Sequence, residues 1–288
     1  MADRAVVEAW VLRVLRPVVI AALVAVTLFP FWYLLVLSVR PIEEVLRDPD
    51  RIWAGPAEWT ARAYRDVLTP AAGGGQGCPR FLANSALVSV ATTALTLAVS
   101  LPGAYAMSRL RFLGRRQVHF LFLSVYLFPP ILLAIPLFVL FTRLGLRGSL
   151  AGLMIVYVAQ TLPVSILMLR HYLDAIPESL EEAAAVDGYS RLQTLRKIVL
   201  PLAAPAVVAN ALYVFMIAWN EFLFALLFLV EERQNWTVSL GLSQLKNIET
   251  PATTLMAGSV ILTLPVIVLF MFAERMMTEG LTRGGVKG

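Results

Sequence analysis

Residues 181–201 read EEAAAVDGYSRLQTLRKIVLP, a charged and regularly punctuated stretch in a chain that is otherwise strongly apolar. A proline and three glutamates at or just before its start suit the first turns of a helix, where the helix dipole is positive. Gly188 suits the left-handed position just beyond a helix end. Ser190 and Gln193 have the spacing of a capping box. The stretch therefore predicts a helix over 177–187, a glycine corner, and a second helix that follows Ser190.

Long apolar runs lie on both sides of this stretch. The 288 residues are 59% hydrophobic and have a mean hydropathy of +0.75, well above the values of soluble domains. A helix needs roughly 20 apolar residues to cross a bilayer core, and six runs reach about that length. The first run is longer than the apolar part of a secretory signal and lacks a small-residue cleavage pattern, which indicates an anchor. We expect an all-α membrane protein with six transmembrane helices, at 17–39, 81–107, 117–141, 149–169, 202–229 and 253–273.

The distribution of arginine and lysine indicates the orientation of these spans. Six spans place both termini on one side, and basic residues concentrate at the N-terminus, in the 108–117 and 170–200 loops, and in the tail. Basic loops favour the cytoplasm, so we expect both termini to be cytoplasmic. Arg143 and Arg147, in a short loop on the opposite side, depart from this rule.

The same pattern of spans predicts three parts of the chain. Residues 1–80 comprise the N-terminal span and a long external segment. Residues 81–275 form a five-span core that includes a cytoplasmic loop at 171–201, and residues 276–288 form a cytoplasmic tail.

Several other classes of protein are disfavoured by the sequence. The net charge of +5 comes from residues that flank apolar runs, which indicates contact with lipid headgroups rather than with nucleic acid. The glycines at 73–77 do not follow a strand, and no phosphate-binding loop motif occurs. His119 and His171 have no partner at metal-ligand spacing. We predict no catalytic residue, cofactor or metal in this chain, so any nucleotide chemistry must come from a partner.

The first helix of the opening stretch has one unusually shallow face. Leu180, Ala183, Ala184 and Asp187 share that face at helical spacing. Beside Gly188, such a face predicts a knob that docks into a groove of another protein, with the Glu182 carboxylate free to meet a basic group. The alternative is a surface helix that lies on lipid headgroups, against which its acidic residues argue.

At these residues the chain resembles the permease subunits of binding-protein-dependent ABC importers. Their cytoplasmic signature is Glu-Ala-Ala, three residues, Gly, nine residues, and Ile-x-Leu-Pro. The segments AWNEFLFALLF at 218–228 and GLTRGGVKG at 280–288 are also similar to those of carbohydrate-type permeases of the maltose-transporter kind. The positions that match the signature are Glu182, Ala183, Ala184, Gly188, Ile198, Leu200 and Pro201, and Asp187 fits as well.

The resemblance implies a type I ABC importer permease fold in a bacterial or archaeal cytoplasmic membrane. It implies that this chain pairs with a second permease, that the pair docks on an ATPase dimer that binds ATP and Mg, and that a substrate-binding protein docks on the 40–80 and 230–252 loops. The loop at 177–200 becomes the coupling helix, with Glu182 against the ATPase and Gly188 at the turn. The tail, at Gly284, Gly285 and Lys287, is expected to reach the ATPase as well.

The path of the solute is less clearly marked. Polar groups inside spans often line a pathway, although most of them can instead tie helices together. Glu221 stands out because it is the only carboxylate well inside an apolar run. The sequence leaves open a sugar, a non-sugar solute such as an amino acid, phosphonate or glycerol phosphate, and an integral membrane enzyme built on Asn220 and Glu221. The candidate path residues are Asn84, Tyr126, Gln160, Asn210, Tyr213, Asn220 and Glu221.

Overall fold

The computed structural model describes residues 2–245 and 250–284, with the backbone alone for residues 2–12, 14, 126 and 278–284. All regular structure in this part of the chain is helical. Short 3₁₀ turns lie at Pro56–Glu58, Ala71–Gly73 and Arg233–Asn235. The helices are α1 (Ala2–Val39), α2 (Ile42–Arg47), α3 (Arg62–Leu68), α4 (Cys78–Arg109), α5 (Arg115–Leu127), α6 (Pro130–Arg143), α7 (Leu150–Asp174), α8 (Ser179–Val186), α9 (Arg191–Thr194), α10 (Leu200–Asn220), α11 (Leu223–Leu229), α12 (Val238–Gln244) and α13 (Ala252–Gly284).

Within the described residues, five helices are long and apolar enough to cross a membrane, and a bent pair formed by α5 and α6 makes a sixth if it is counted as one span. The prediction of an all-helical membrane protein is confirmed. The five unbroken candidates are Leu15–Val39, Cys78–Arg109, Leu150–Asp174, Arg191–Asn220 and Ala252–Met277.

The third predicted span, 117–141, is not one straight helix. Its two halves, Arg115–Val125 and Pro130–Arg143, meet at an angle of 97°. Pro129 and Pro130 stand at the bend, and neither has an amide hydrogen to continue the helical hydrogen bonds. The apolar run at 117–141 therefore corresponds to this bent pair and not to one straight helix.

The predicted bounds of the fifth span, 202–229, are wrong. One helical stretch runs from Arg191 to Asn220, and the backbone then becomes extended at Glu221 before α11 begins. At the other end of the chain, α13 continues to Gly284, so residues 276–284 of the predicted tail prolong the last helix.

The described residues within 1–77 and 245–261 form one compact unit, in which the chain folds around Arg40 at the end of α1. The Arg40 side chain is only 1% exposed. Its guanidinium donates to the carbonyl oxygens of Arg51 at 2.5 Å, Asp48 at 3.3 Å and Glu44 at 3.5 Å. The segment that follows α1 is therefore held in a defined fold by a buried cation.

The described residues within 78–244 and 262–288 form the second unit, in which α4, α7 and α10 pack together. Small side chains on α4 allow the close approach that membrane helices favour, and Thr96 meets Thr161 of α7 at 3.1 Å between hydroxyls. An apolar cluster that includes Tyr157 and Phe228 joins α7 to α11. A second cluster, which includes Leu169 and Ala203, joins the ends of α4, α7 and α10 next to residues 177–199.

Candidate functional site

The elbow, residues 177–199, contains the helix, corner and second helix that the sequence predicts. Gly188 has a φ of +82°, a conformation that a residue without a Cβ adopts at no steric cost. Its amide donates to the carbonyl of Ala185 at 3.1 Å, and the Tyr189 amide donates to the carbonyl of Ala184 at 2.9 Å. This pair of bonds is a Schellman motif, which satisfies the carbonyls at the end of α8 and fixes the corner.

The second arm of the elbow starts with the predicted capping box. The Ser190 hydroxyl accepts from the Gln193 amide at 3.4 Å, and the Gln193 side chain accepts from the Ser190 amide at 2.8 Å. α9 then passes into α10 through a π-helical turn at Leu195–Val199, in which the Leu200 amide donates to the Leu195 carbonyl. The elbow is therefore continuous with the fifth span.

α8 begins at Ser179, two residues later than the predicted helix of 177–187. A helix that started at 177 would use the Ile176 carbonyl as acceptor for the Leu180 amide. That carbonyl is instead bonded to the Arg109 guanidinium at 2.7 Å, and Leu180 donates to the Pro177 carbonyl at 3.3 Å. A long-range contact thus delays the start of the helix.

The first half of the sequence signature divides between two sides of α8. Glu182, Ala183, Asp187 and Gly188 are exposed. Ala184 is only 3% exposed, so it lies against the chain itself and is not part of the open face. The predicted shallow face is therefore smaller than the spacing indicated.

The second half of the signature lies away from the corner. Ile198 falls within the π-helical turn, and Leu200 and Pro201 are the first two residues of α10. Ile198 and Leu200 are half-buried. These residues shape the junction between the elbow and the fifth span.

A partly buried ion pair that the sequence reasoning missed attaches the elbow to the spans. Arg109, the last residue of α4, donates through Nε to Glu181 Oε1 at 2.6 Å. The other oxygen of that carboxylate accepts from the Tyr105 hydroxyl, also at 2.6 Å. Tyr105 and Arg109 are four residues apart at a helix end, the spacing at which side chains share a face. Two features of the sequence could have indicated this contact: the four-residue spacing of Tyr105 and Arg109, and a glutamate next to the signature.

A cavity of about 260 Å³ opens beside this ion pair. Its walls carry charges of both signs, because glutamates of α8 face arginines of α4 and α9. The lining residues include Glu178, Glu182, Ala185, Leu110 and Arg191.

Two of the predicted path residues make hydrogen bonds to backbone carbonyls. The Asn84 amide donates to the carbonyls of Gln234 and Trp236, both at 2.9 Å, and so holds the segment after α11 against α4. Asn220 is exposed, and its amide donates to the Met216 carbonyl in its own helix at 2.9 Å. Neither residue lines the larger cavity described below.

Glu221 is not inside a span, as the sequence reasoning assumed, but at the break between α10 and α11. Its carboxylate accepts from the amides of Phe224 at 2.8 Å and Ala225 at 3.2 Å, and from the Tyr157 hydroxyl. Glu221 precedes Phe222, the N-cap residue of α11, and its carboxylate caps the helix by accepting two amides of the first turn that have no acceptor within the helix. The apolar run continues through 229 because α11 is itself buried, which is why composition did not reveal the break.

A larger cavity, of about 670 Å³, lies beside the bend between α5 and α6. Its walls are mostly aliphatic and aromatic. Two of the polar candidates, Gln160 of α7 and Tyr213 of α10, line it. Gln160 Oε1 is buried and has no hydrogen-bond partner. The structure therefore brings two of the predicted path residues together in one cavity.

The remaining candidates do not line either cavity or cannot be placed. Asn210 is fully buried, and the side chain of Tyr126 lies outside the described residues. Gly284 is the last residue of α13, whereas Gly285 and Lys287 of the predicted tail contact lie outside the described residues.

The helices, the elbow and its signature together identify the class of protein. Residues 83–281 match the family described as "Binding-protein-dependent transport system inner membrane component". The chain belongs to this family. It is thus a multi-pass protein of the cytoplasmic membrane and a transport subunit of a binding-protein-dependent ABC transporter.

Two relatives match almost along their full length. The chain is 38% identical over 272 residues to the inner membrane ABC transporter permease protein YcjP of Escherichia coli, covering 93% of this chain and 94% of the relative. It is 36% identical over 265 residues to the trehalose/maltose transport system permease protein MalG of Thermococcus litoralis, covering 91% and 92%.

A solved structure shows the same fold. A chain of a bacterial ABC transporter involved in the import of the acidic polysaccharide alginate superposes with a TM-score of 0.77 at 23% identity, covering 93% of this chain and 97% of that one. The ABC importer permease fold expected from the sequence is confirmed.

Proposed function

We propose that this chain is one of two permease subunits that form the path for a sugar or sugar-like solute in an ATP-driven importer. The second subunit is a related permease, a dimeric ATPase supplies hydrolysis, and a substrate-binding protein delivers the solute. The chain itself binds no nucleotide in this proposal; ATP and Mg belong to the ATPase. The single observation that carries the proposal is the elbow, whose exposed signature residues stand at a corner fixed by Gly188.

The docking surface, defined as Glu182, Ala183, Asp187 and Gly188, has the shape and charge for a groove with a basic rim. Its small residues permit close approach, and the Glu182 carboxylate is available for a charge-assisted hydrogen bond. We infer that this surface contacts the ATPase, and that Ile198, Leu200 and Pro201 shape the base of the elbow.

The charges around the elbow support a cytoplasmic location for it. Contacts join Arg109 to Glu181 and to the carbonyls of Leu173 and Ile176, so the 108–117 and 170–200 loops lie on one side of this unit. Both loops are basic, as cytoplasmic loops are. Arg147, which departs from the rule, is paired with Glu231 at 2.6 Å.

The sugar assignment rests on the likeness to the trehalose/maltose permease and to the carbohydrate-type segments at 218–228 and 280–288. The larger cavity, with Gln160 and Tyr213 on apolar walls, is the part of this chain that we assign to the solute path. Apolar walls with a few polar groups are typical of small-molecule sites.

Affinity purification of the tagged chain from its native membrane tests the proposal. The wild type should retain an ABC ATPase and a second permease, identified by mass spectrometry, and Glu182→Lys should lose the ATPase. Glu232→Lys, a charge reversal at another exposed glutamate, is the matched control and should retain it. Absence of an ATPase from the wild-type complex would refute the proposal.

A further inference from the structure

We propose that Arg109 is a positioning residue that fixes the elbow to α4 and α7, so that movement of a docked ATPase reaches these spans. The inference rests on the proposed function. It adds a residue outside the sequence signature. It also gives two neighbouring residues different roles: Glu181 binds the spans, and Glu182 belongs to the docking surface.

The guanidinium of Arg109 joins three consecutive parts of the fold. Besides Glu181 in α8, it donates through Nη2 to the carbonyl of Leu173 at 2.9 Å and to that of Ile176 at 2.7 Å. Its side chain is 9% exposed, and that of Glu181 is 15% exposed. One planar group therefore holds the end of α7, the linker after it, and α8 to the end of α4, a task that suits the fixed fork of arginine donors.

Glu181 is held from α4 at both of its carboxylate oxygens. Oε1 meets Arg109 and Oε2 meets Tyr105, so the carboxylate cannot rotate without losing a bond. Glu182, the next residue, is exposed. α8 therefore presents one carboxylate inward to the spans and the next one outward to the docking surface.

The contact extends beyond Arg109 through further side chains. Arg109 Nη1 donates to the Ser108 hydroxyl at 3.1 Å, and that hydroxyl donates to Asp174 at 2.5 Å. Asp174 is paired with Arg170 at 3.3 Å, and Arg170 meets His119 of α5 at 3.2 Å. The ends of α4, α5 and α7 thus form one polar network with the elbow.

Packing alone holds α8 weakly. Ala184 is its one buried residue, and an alanine removes little apolar surface from water. The elbow is also linked covalently to α10 through the π-helical turn. The chain also runs directly from α7 into α8 through residues 175–178, whereas α4 reaches α8 through side chains alone. Without the Arg109 contact, α8 would keep the hydrogen bond from Tyr105 but lose its ion pair with α4, and its movement would be passed on to α4 less completely.

The test compares transport per ATP in the complete complex, reconstituted in proteoliposomes with its ATPase, second permease and binding protein. For Arg109→Gln we expect the ATPase to remain bound and ATP hydrolysis to continue. Solute uptake per ATP hydrolysed should fall by roughly tenfold or more, within the range of allosteric coupling energies. Arg109→Lys, which keeps the charge but not the fork, should recover part of the loss.

Variants of the two glutamates that face Arg109 serve as a matched pair. Glu181→Gln keeps the side-chain shape and should lower uptake per ATP. Glu178→Gln should behave as the wild type, because that carboxylate is 71% exposed and 3.9 Å from the guanidinium. If Arg109→Gln prevents the chain itself from folding, so that no permease pair can be purified, Glu181→Gln decides the question.

A covalent cross-link shows whether Arg109 transmits movement from the elbow to α4 or is needed only for folding. Leu110 and Ala185 line the same small cavity, so a short thiol cross-linker between Leu110→Cys and Ala185→Cys should restore coupling in Arg109→Gln. The native Cys78 is only 1% exposed and should not compete. No recovery after cross-linking would overturn the inference.

Two further outcomes would also overturn it. One is an Arg109→Gln complex with wild-type uptake per ATP, and the other is loss of the ATPase from that complex, which would place Arg109 in docking. Failure of the proposed function is distinct, because the wild-type complex itself would then lack the ATPase or import no solute.

Discussion

The hydroxyl of Tyr157, in α7, donates a hydrogen bond to the carboxylate of Glu221, the residue at which the fifth span ends. This contact fixes the position of the break between α10 and α11. The same carboxylate also accepts two amides of α11, so one side chain both ends a span and starts the next helix.

Replacement of Glu221 by glutamine should destabilise the protein by about 1–3 kcal/mol, the cost of leaving buried polar groups without partners. The glutamine has one acceptor oxygen, and its NH₂ group would face a donor. Tyr157→Phe removes a single hydrogen bond and should lower the free energy of unfolding by less. Thermal unfolding in detergent measures both, with Glu232→Gln, the same change at an exposed glutamate, as a control for stability, and ATPase retention should be unchanged. Equal stability of Glu221→Gln and the wild type would contradict the capping role.

The effect of a substitution at Gly188 should depend first on whether the new residue adopts a left-handed backbone conformation, and second on the size of its side chain. A left-handed conformation costs a residue with a Cβ about 1–2 kcal/mol, except that asparagine adopts it more readily. No atom lies within 4 Å of a Cβ built at Gly188, so strain alone should act in Gly188→Ala. Gly188→Asn should retain the ATPase in affinity purification. Gly188→Trp should lose it, because the ring would cover the docking surface; transport that survived Gly188→Trp would show that this surface is not the contact.

Gly241 of α12 lies directly against the ring of Phe81 of α4. A Cβ at Gly241 would approach the Phe81 ring carbons to 2.3 Å, so Gly241→Ala should destabilise by about 1–3 kcal/mol, as overpacked cores do. Phe81→Leu in the same chain should recover part of that loss. Gly103→Ala is the control, because its new Cβ meets only the tip of Ile166 at 3.2 Å. Unfolding curves that ranked the two alanine variants in the opposite order would contradict this packing.

Within the proposed solute path, Gln160→Leu should raise the KM for sugar uptake without loss of the ATPase. A sugar hydroxyl would lose a hydrogen-bond partner, worth about 1 kcal/mol or several-fold in affinity. Uptake of radiolabelled solute into proteoliposomes gives the value. Leu95→Ala, at an exposed position of α4, should leave KM unaltered. An unchanged KM in Gln160→Leu would remove this cavity wall from the path.

Local patterns in the sequence predicted the elbow well. The capping box at Ser190 and the left-handed corner at Gly188 depend on neighbouring residues only, and spacing rules describe such interactions. Six apolar runs likewise predicted the helical membrane fold, since length and hydropathy are summed properties of a segment.

Contacts between distant segments could not be read in the same way. The delayed start of α8 depends on Arg109, which is 67 residues away from its acceptor Ile176. Glu221 looked like a carboxylate within a span because the buried helix α11 continues the apolar run after it. In both cases a polar side chain determines where a helix begins or ends, and the composition of the segment does not show that position.

The π-helical turn at Leu195–Val199 has a consequence for how such a protein can change. Each residue of an α-helix advances the chain by about 100° around its axis. The π-helical turn takes up one residue more than an α turn, so the segments on its two sides keep nearly the directions of an uninterrupted helix. Deleting one residue from α10 outside the turn would instead rotate everything before it by that angle relative to the rest of the fifth span. Glu181 would then leave Arg109, and the docking surface would face another direction. The direction of the elbow therefore depends on the number of residues in α10, and deletion of one residue within the turn should be tolerated more readily than deletion of one residue beyond it.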